Sequence, residues 1–179
     1  MAQQILFPNA AVLVTSGWSN SAGDAAESFG DDDNSTGTNN TTADQTIILR
    51  MDNTTFPSSD IVTSIEGFVT VTAGGKGAAA YQAKLFDADE VLLVASNLGV
   101  NAGVSNAQQA IPAYTEEVNG AFVDGIYMQI NTILQTQCFF TGARIVITHE
   151  PVSVTSVSAT GKITISSGKV NLTSGKLIL

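Results

Sequence analysis

Hydroxyl side chains are abundant in this chain of 179 residues, but residues that could activate them, or act as a reactive thiol, are few. His149 is the only histidine and Cys138 is the only cysteine. A Ser–His–Asp system would have to use His149, but no Gly-x-Ser-x-Gly turn surrounds any serine. Cys138 is followed by two phenylalanines, and such an apolar setting is typical of a buried, unreactive thiol. We therefore expect structural roles for both residues.

Carboxylate pairs are a second source of chemistry, because a glycosidase needs two of them on opposite sides of a cleft. The candidates are Asp87, Asp89, Glu90, Glu116, Glu117 and Asp124. The first three fit a turn between two strands, and residues 116–117 fit a solvated strand edge. We therefore expect that the protein is not an enzyme.

A cluster of acids resembles the start of a calcium-binding loop. Asp32, Asn34 and Thr36 place hard oxygen ligands at alternate positions. The bidentate acid that such a loop needs at its twelfth position would fall on Ala43, and no helical pattern flanks the segment. We therefore expect no bound metal, with these three residues as the candidates if Ca²⁺ does bind. One histidine and one cysteine are too few for a typical zinc or iron site, and we expect no other cofactor.

Trp18 is the only tryptophan, and it precedes a long polar segment. An exposed tryptophan on a β-sandwich could stack on a sugar ring. A tryptophan that closes one end of a hydrophobic core is the more common arrangement, and we favour it here.

The apolar residues favour extended structure, because they recur with period two and helical spacing is rare. The predicted strands cover residues 11–15, 46–51, 61–72, 79–87, 91–96, 125–134 and 143–149. Segments rich in Gly, Asn, Asp and Ser separate them, and the glycine-rich residues 72–77 predict a hairpin. Strands at this spacing, without intervening helices, predict an all-β fold: an antiparallel β-sandwich of jelly-roll type with a C-terminal tail of β-repeats.

The strand at residues 61–72 has the clearest alternation. One predicted face carries Ile61, Thr63, Ile65, Gly67, Val69 and Val71. A glycine in the middle of a strand usually marks a bulge or a bend, and we expect one at Gly67.

The chain divides into a body, residues 1–150, and a C-terminal tail, residues 151–179, for oligomerisation or partner clamping. Within the body, residues 19–44 hold almost no large apolar side chain except Phe29. This composition predicts a long surface loop or arm. A second polar loop is predicted at residues 97–110.

The tail repeats a seven-residue phrase three times, and each copy is a Ser/Thr-Gly-Lys turn followed by alternating apolar residues. A unit this short cannot bury its own apolar face, so it is expected to stack on copies of itself or on other chains. Two geometries stay open: an antiparallel meander within one chain, and a prism formed by three chains, which explains the strict period better. The residues predicted to bind partners are Lys162, Lys169, Lys176, Ile163, Ile165, Val170, Leu172, Leu177 and Leu179.

Charge is divided unevenly between body and tail. All sixteen acidic residues lie at or before Glu150, against four cations, so the body carries a net charge of −12 and the three lysines of the tail carry +3. Nucleic acid is not an expected partner, because phosphate binding needs clustered Lys and Arg. The tail complements an acidic surface on a neighbouring copy or on another protein; its lysines also keep exposed strand edges soluble.

No membrane partner is predicted. The first apolar run is not preceded by basic residues and is interrupted by Pro8, so we expect no secretory signal. No apolar stretch approaches the ~20 residues that span a bilayer.

The order of these segments resembles small all-β virion proteins of tailed bacteriophages. In such proteins a tryptophan precedes a loop with an acidic cluster, as Trp18 does here, and strands like residues 59–71, 81–86 and 143–148 follow. The resemblance covers roughly residues 18–150, and the repeated tail is similar to β-prism elements of phage fibres and trimeric decoration proteins. It implies a sandwich used as a building block of a capsid or tail, and it brings no catalytic residues.

The sequence therefore predicts a capsid decoration, or cement, protein. It would form a homotrimer and bind the major capsid protein or another virion protein, and it would stabilise the shell because it binds assembled and not dissociated subunits. The expected location is the virion, at the capsid surface rather than the tail, after synthesis in the host cytoplasm. The alternative is a receptor- or glycan-binding module of a tail fibre, in which the loops and Trp18 bind the ligand.

Overall fold

The computed structural model describes residues 1–15, 18–20, 25–30, 38–40, 44–73, 78–133, 138–152, 154–157 and 163–165. The first seven strands are β1 (Ala2–Leu6), β2 (Pro8–Val14), β3 (Trp18–Asn20), β4 (Thr38–Asn40), β5 (Thr46–Met51), β6 (Ile61–Ala73) and β7 (Ala79–Phe86). The others are β8 (Leu92–Val100), β9 (Ala107–Ala110), β10 (Val118–Asn119), β11 (Tyr127–Thr132), β12 (Cys138–Glu150), β13 (Val154–Val157) and β14 (Ile163–Ile165). One short helix, α1 (Ala25–Gly30), and a 3-10 turn at Gly120–Val123 complete the described elements.

Two antiparallel sheets form a sandwich. The five-stranded sheet has the order β2-β5-β11-β7-β8. The seven-stranded sheet has the order β10-β6-β12-β4-β3, with β1 also paired to β12 and β9 to β6. The predicted antiparallel, jelly-roll-like β-sandwich is confirmed.

Alternation along each strand decides which side chains enter the core. In β5, Ile47, Leu49 and Met51 are fully buried, whereas Ile48 and Arg50 face outward. Burying one large aliphatic side chain contributes about 1.5–3 kcal/mol. A shift of β5 by one residue would turn all three side chains to solvent, and this loss exceeds the ~1 kcal/mol range of intrinsic strand propensity. Burial therefore decides which face of β5 points to the core.

An aromatic cluster joins the sheets at one end of the core. Phe140 of β12 is fully buried, and its ring centroid lies 5.3 Å from that of Trp18, 6.2 Å from that of Phe29 and 5.2 Å from that of Tyr81. Trp18 is only 9% exposed. Its predicted core position is confirmed, and it does not offer a platform to a ligand.

The predicted set of residues on one face of β6 is correct from Ile65 onward, and it is wrong for the residues before Ile65. Val62 and Ile65 are both fully buried, because the pairing with β12 shifts register between Thr148 and His149. The expected irregularity at Gly67 is absent: Gly67 pairs regularly with Ile145 of β12.

Space explains why position 67 is a glycine. A Cβ atom there would lie 2.7 Å from Cδ1 of Ile111 and 3.2 Å from Cδ2 of Leu85. The backbone of Ile111 also donates a hydrogen bond to the carbonyl of Gly67 at 2.8 Å. The glycine therefore admits a neighbouring core side chain and does not bend the strand.

Two predicted loops contain regular structure. The supposed arm at residues 19–44 includes α1 and β4, and Phe29 of α1 is 1% exposed. The supposed loop at residues 97–110 contains the end of β8 and the whole of β9. The predicted hairpin at residues 72–77 is wrong, because β6 and β7, which this segment connects, belong to different sheets.

Beyond the body, β13 and β14 pair as a two-stranded antiparallel sheet. The apolar strand of the first repeat forms β14, whereas β13 precedes the repeats. The two later repeats lie outside the described residues. In the described part of the chain, no helix is long and apolar enough to cross a membrane.

Candidate ligand-binding face

The outward face of the five-stranded sheet holds a cavity of about 220 Å³. The side chains that line it come from four adjacent strands and one turn: Val12, Ile48, Phe86, Glu90, Tyr127 and Gln129. Those on β5, β7 and β11 alternate with fully buried core residues. The cavity therefore lies on the side of the sheet that faces away from the core.

Strand register brings these side chains together. Tyr127 of β11 pairs with Phe86 of β7 and with Arg50 of β5. Two residues further along β11, Gln129 pairs with Ile48. Because adjacent strands are about 4.8 Å apart, the cavity crosses about 14 Å of sheet from β2 to β7.

Irregular pairing occurs on both sides of the cavity. The β2–β5 register shifts between Ala11 and Leu13, which leaves Val12 unmatched. On the other side, the β7–β8 register shifts between Leu85 and Phe86. Bulges redirect side chains and increase local twist, and they are common next to binding sites, so they account for a depression in an otherwise regular sheet.

A tightly bonded turn carries Glu90 to the rim of the cavity. Oδ1 of Asp87 accepts hydrogen bonds from the backbone N–H of Asp89 at 3.0 Å and of Val91 at 2.8 Å. Glu90 has φ of +63°, in the left-handed region that favours glycine and is unfavourable for a glutamate. The turn therefore holds Glu90 in a costly conformation.

Ordered amide groups extend the face beyond the cavity. The hydroxyl of Thr46 donates to Oδ1 of Asn131 at 3.2 Å, and Nε2 of Gln82 donates to Oδ1 of Asn97 at 3.0 Å. Asn131 pairs with Gln82 across β11 and β7. These four side chains form one polar row across the sheet, two residues further along β11 from Gln129.

His149 has a structural environment. Its Nδ1 lies 2.8 Å from Oδ2 of Asp60, and its ring stacks on Phe56 with centroids 3.9 Å apart. His149 is 9% exposed and Asp60 is 4% exposed. Among the described residues, no hydroxyl group is hydrogen-bonded to the other ring nitrogen.

Two of the six candidate hydrolase carboxylates, Asp124 and Glu116, have hydrogen-bond partners away from the cavity. Asp124 accepts hydrogen bonds from the backbone and hydroxyl of Thr54. Tyr114 donates its phenolic hydrogen to Oε2 of Glu116 at 3.0 Å, and burial together with this hydrogen bond raises the pKa of Tyr114. Glu90 is the one carboxylate among the described residues that lines the cavity.

The other predicted sites lie largely outside the described residues. This holds for the calcium candidates Asp32, Asn34 and Thr36 and for the partner-binding residues of the second and third repeats. Of the first repeat, only the backbone of Ile163 and Ile165 is described. Within the described ranges, no three His, Cys, Asp or Glu residues are grouped as a metal site would require.

The β2 edge is defined here as the side of β2 that faces away from β5 in the five-stranded sheet. No described strand pairs beyond it. Helix α1 packs against β2, and a Cβ at Gly30 of α1 would lie 3.1 Å from the carbonyl oxygen of Pro8. Val12, Leu13 and Val14 are consecutive and are 58%, 44% and 41% exposed. An edge strand with exposed apolar side chains is a template for pairing with another chain.

No family model and no curated protein matches this chain. Among solved structures, the enzymatically active domain of tailspike protein 4 from bacteriophage CBA120 has a TM-score of 0.41 and 10% identity, over 82% of this chain and 19% of that one. The CBM22-1 xylan-binding domain of Xyn10C from Paenibacillus barcinonensis has a TM-score of 0.45 and 12% identity, over 82% of this chain and 96% of that domain.

The Gx strain of infectious bursal disease virus is a further structural neighbour, with a TM-score of 0.38 and 12% identity over 82% of this chain and 32% of that one. The chain therefore spans about a fifth of the tailspike domain and a third of the viral chain. Likenesses of this size carry no argument about function.

Sequence reasoning did not find the cavity. The sequence predicts Glu90 as a turn residue, or as one of six candidate carboxylates of a hydrolase, and it predicts Phe86, Tyr127 and Gln129 only as strand residues. A signal was present in the alternation, since these positions fall on the polar side of each strand. Which outward residues become neighbours depends on register across four strands, and a strand pattern by itself does not contain it.

Proposed function

We propose that the chain is a non-enzymatic structural protein of a virion, and in particular a capsid decoration protein that stabilises the head by binding between coat subunits. The observation that carries this proposal is the β2 edge. Three consecutive exposed apolar residues on a strand that no other described strand pairs beyond favour pairing with another chain. Because the proposed protein binds the assembled shell, it shifts the equilibrium toward assembly by mass action.

The charge distribution of the chain also supports association between copies or with coat subunits. The body has a net charge of −12, and the tail carries three lysines and no acid. Opposite charges of this kind steer association and fix register. In the proposed assembly, the strand repeats of the tail clamp acidic bodies of neighbouring copies or coat subunits, and the protein is a homotrimer.

Charge reversal in the full chain tests the assembly role. We expect the unchanged protein to be trimeric by multi-angle light scattering, with dissociation promoted by salt because surface charge pairs are screened. Replacing Lys162, Lys169 and Lys176 together by glutamate is expected to give monomers. Lys84→Glu, a charge reversal on the body, is the matched control and should leave the trimer intact.

Deletion of residues 152–179 provides an independent version of the test. A truncated protein that keeps its β-sandwich circular dichroism spectrum but is monomeric would support the proposal. If the full chain and the triple Lys→Glu variant have the same oligomeric state, the proposed role of the tail in trimer formation is contradicted.

A receptor- or glycan-binding module of a phage tail is the second candidate function. One observation favours it: the outward cavity combines aromatic, amide and carboxylate groups. Trp18 takes no part, because it is buried in the core. The two roles share Val12, which lies on the β2 edge and also lines the cavity, whereas Glu90, Tyr127 and Gln129 lie away from that edge. A virion protein can therefore combine them.

A further inference from the structure

The size of the outward cavity limits what it can hold. Its volume of about 220 Å³ exceeds the ~150 Å³ of an engineered cavity that binds benzene. It is below the ~300–1,000 Å³ of pockets that enclose drug-sized molecules. One six-membered ring therefore fits, and a longer ligand must continue over the open sheet.

The lining chemistry selects the kind of ring. Tyr127 and Phe86 offer aromatic surface for an apolar face, while Gln129 offers an amide donor and acceptor and Glu90 offers a carboxylate acceptor. A wholly apolar ligand would cover Gln129 and Glu90 without giving them hydrogen-bond partners, which is costly. The ligand must therefore have both a C–H face and hydroxyl groups.

Two other ligand classes fit the cavity poorly. An extended peptide is usually bound through the free backbone groups of a sheet edge. The strands β5, β11 and β7 are each paired on both sides, and the edge strand β2 contributes only Val12 to the lining. Charge around the cavity is nearly balanced. Glu90 lines it and Asp89 belongs to the same turn, while Arg50 and Lys84 pair with Tyr127 and Gln129 on the same face, so no cluster of cations favours an anionic ligand. A neutral, polyhydroxylated ring remains.

The backbone at Glu90 points to a role for its carboxylate. A glycine at φ of +63° would remove the conformational cost, yet the chain has a glutamate there. Strained backbone of this kind is concentrated at binding sites. The two hydrogen bonds to Asp87 hold the turn, so Glu90 is pre-organised beside the aromatic rings.

We propose that this cavity is a sugar-binding site that takes one hexose ring of a neutral oligosaccharide. Tyr127 and Phe86 stack on the C–H face of the ring, and Gln129 and Glu90 bond its hydroxyls. The next sugar rings lie along the amide row that includes Asn131 and Gln82. This assignment deepens the second candidate function and does not depend on the trimer or on the tail.

Affinity electrophoresis of the full chain tests the site. The probes are gels containing hydroxyethylcellulose, galactomannan or dextran, all neutral, and alginate, which is acidic. We expect retardation in at least one neutral gel. Tyr127→Ala and Glu90→Gly are each expected to raise the dissociation constant roughly tenfold or more, because each removes one strong contact.

Two further variants separate binding from folding. Glu90→Gly fits the left-handed backbone, so it should melt at the same or a higher temperature by circular dichroism while it loses the sugar. Gln108→Ala removes an exposed amide from the other sheet and is the matched control, with unchanged retardation. Tyr127→Phe keeps the ring and should keep most of the affinity.

The outcomes distinguish this site from the assembly role. Absence of retardation in every neutral gel, retention in alginate alone, or full retention by Glu90→Gly would overturn the proposal. Glu90→Gly should leave the oligomeric state unchanged in light scattering. The triple Lys→Glu variant of the tail should still bind the neutral polymer.

Discussion

At the scale of single residues, the buried pair Asp60 and His149 lies where the body ends. The side chains are 2.8 Å apart, and Phe56 covers the imidazole ring. The backbone around Asp60 is also fixed, since its carbonyl accepts the N–H of Gly120 at 2.8 Å. Removing one partner of a buried polar pair is costly, because the other partner is left without its hydrogen bond. Replacing both partners together costs much less.

His149→Phe tests this asymmetry. The new ring still stacks on Phe56 but leaves the buried Asp60 carboxylate without its partner. We expect the free energy of unfolding, measured with urea, to fall by about 3 kcal/mol or more. Adding Asp60→Asn removes the stranded charge and should recover at least half of the loss.

A His149→Phe protein that is within about 0.5 kcal/mol of the unchanged chain would show that the pair contributes little. Equal losses in the single and double variants would show that Asp60 and His149 are not coupled.

At the scale of secondary structure elements, β6 shows how one glycine makes room for a core side chain from the neighbouring segment. Ile111 lies after β9 and is 2% exposed. Its side chain occupies the volume that a Cβ at Gly67 would need. The residue after β9 is thereby hydrogen-bonded beside the middle of β6, and its side chain is part of the core.

Gly67→Ala is expected to destabilise the protein by about 1–3 kcal/mol, because overpacking forces side chains off their preferred rotamers. The closest atom, Cδ1 of Ile111, is absent in Ile111→Val. The double variant Gly67→Ala with Ile111→Val should therefore be less destabilised than the sum of the two single variants. Thermal unfolding of the four proteins measures this coupling, and additive losses would contradict the steric explanation.

At the scale of the whole molecule, Phe140 connects the two sheets and the short helix. It contacts Trp18, Tyr81 of the five-stranded sheet and Phe29 of α1. These partners are far apart in sequence. The cluster therefore stabilises the relative placement of several chain segments and not a single strand.

Phe140→Ala is expected to lower the free energy of unfolding by about 3–5 kcal/mol, the usual cost of emptying a buried aromatic position. Phe139, the preceding residue on β12, is only partly buried. Phe139→Ala is the matched control and should cost less than half as much. Similar losses for the two variants in urea unfolding would contradict the central position of Phe140.

Part of the fold was accessible from the sequence because strand formation leaves a local pattern. Residues 46–51 were predicted as a strand and form β5 with the same bounds. The short strands β3 and β4 were missed, since their polar residues resemble a loop and they are ordered by pairing with each other and with β12. Tertiary pairing overrides weak local propensity in such segments.

The sequence by itself determined the all-β class, the inward or outward facing of most strand residues, and the separation of an acidic body from a basic repeated tail. Only the tertiary structure decided that β6 and β7 lie in different sheets and that Glu90, Phe86, Tyr127 and Gln129 border one cavity. The physical reason is the sequence separation between the residues that determine each feature. Alternation reports the facing of each residue along its own strand, whereas register and strand order are set by the collective burial of residues that are distant in the chain.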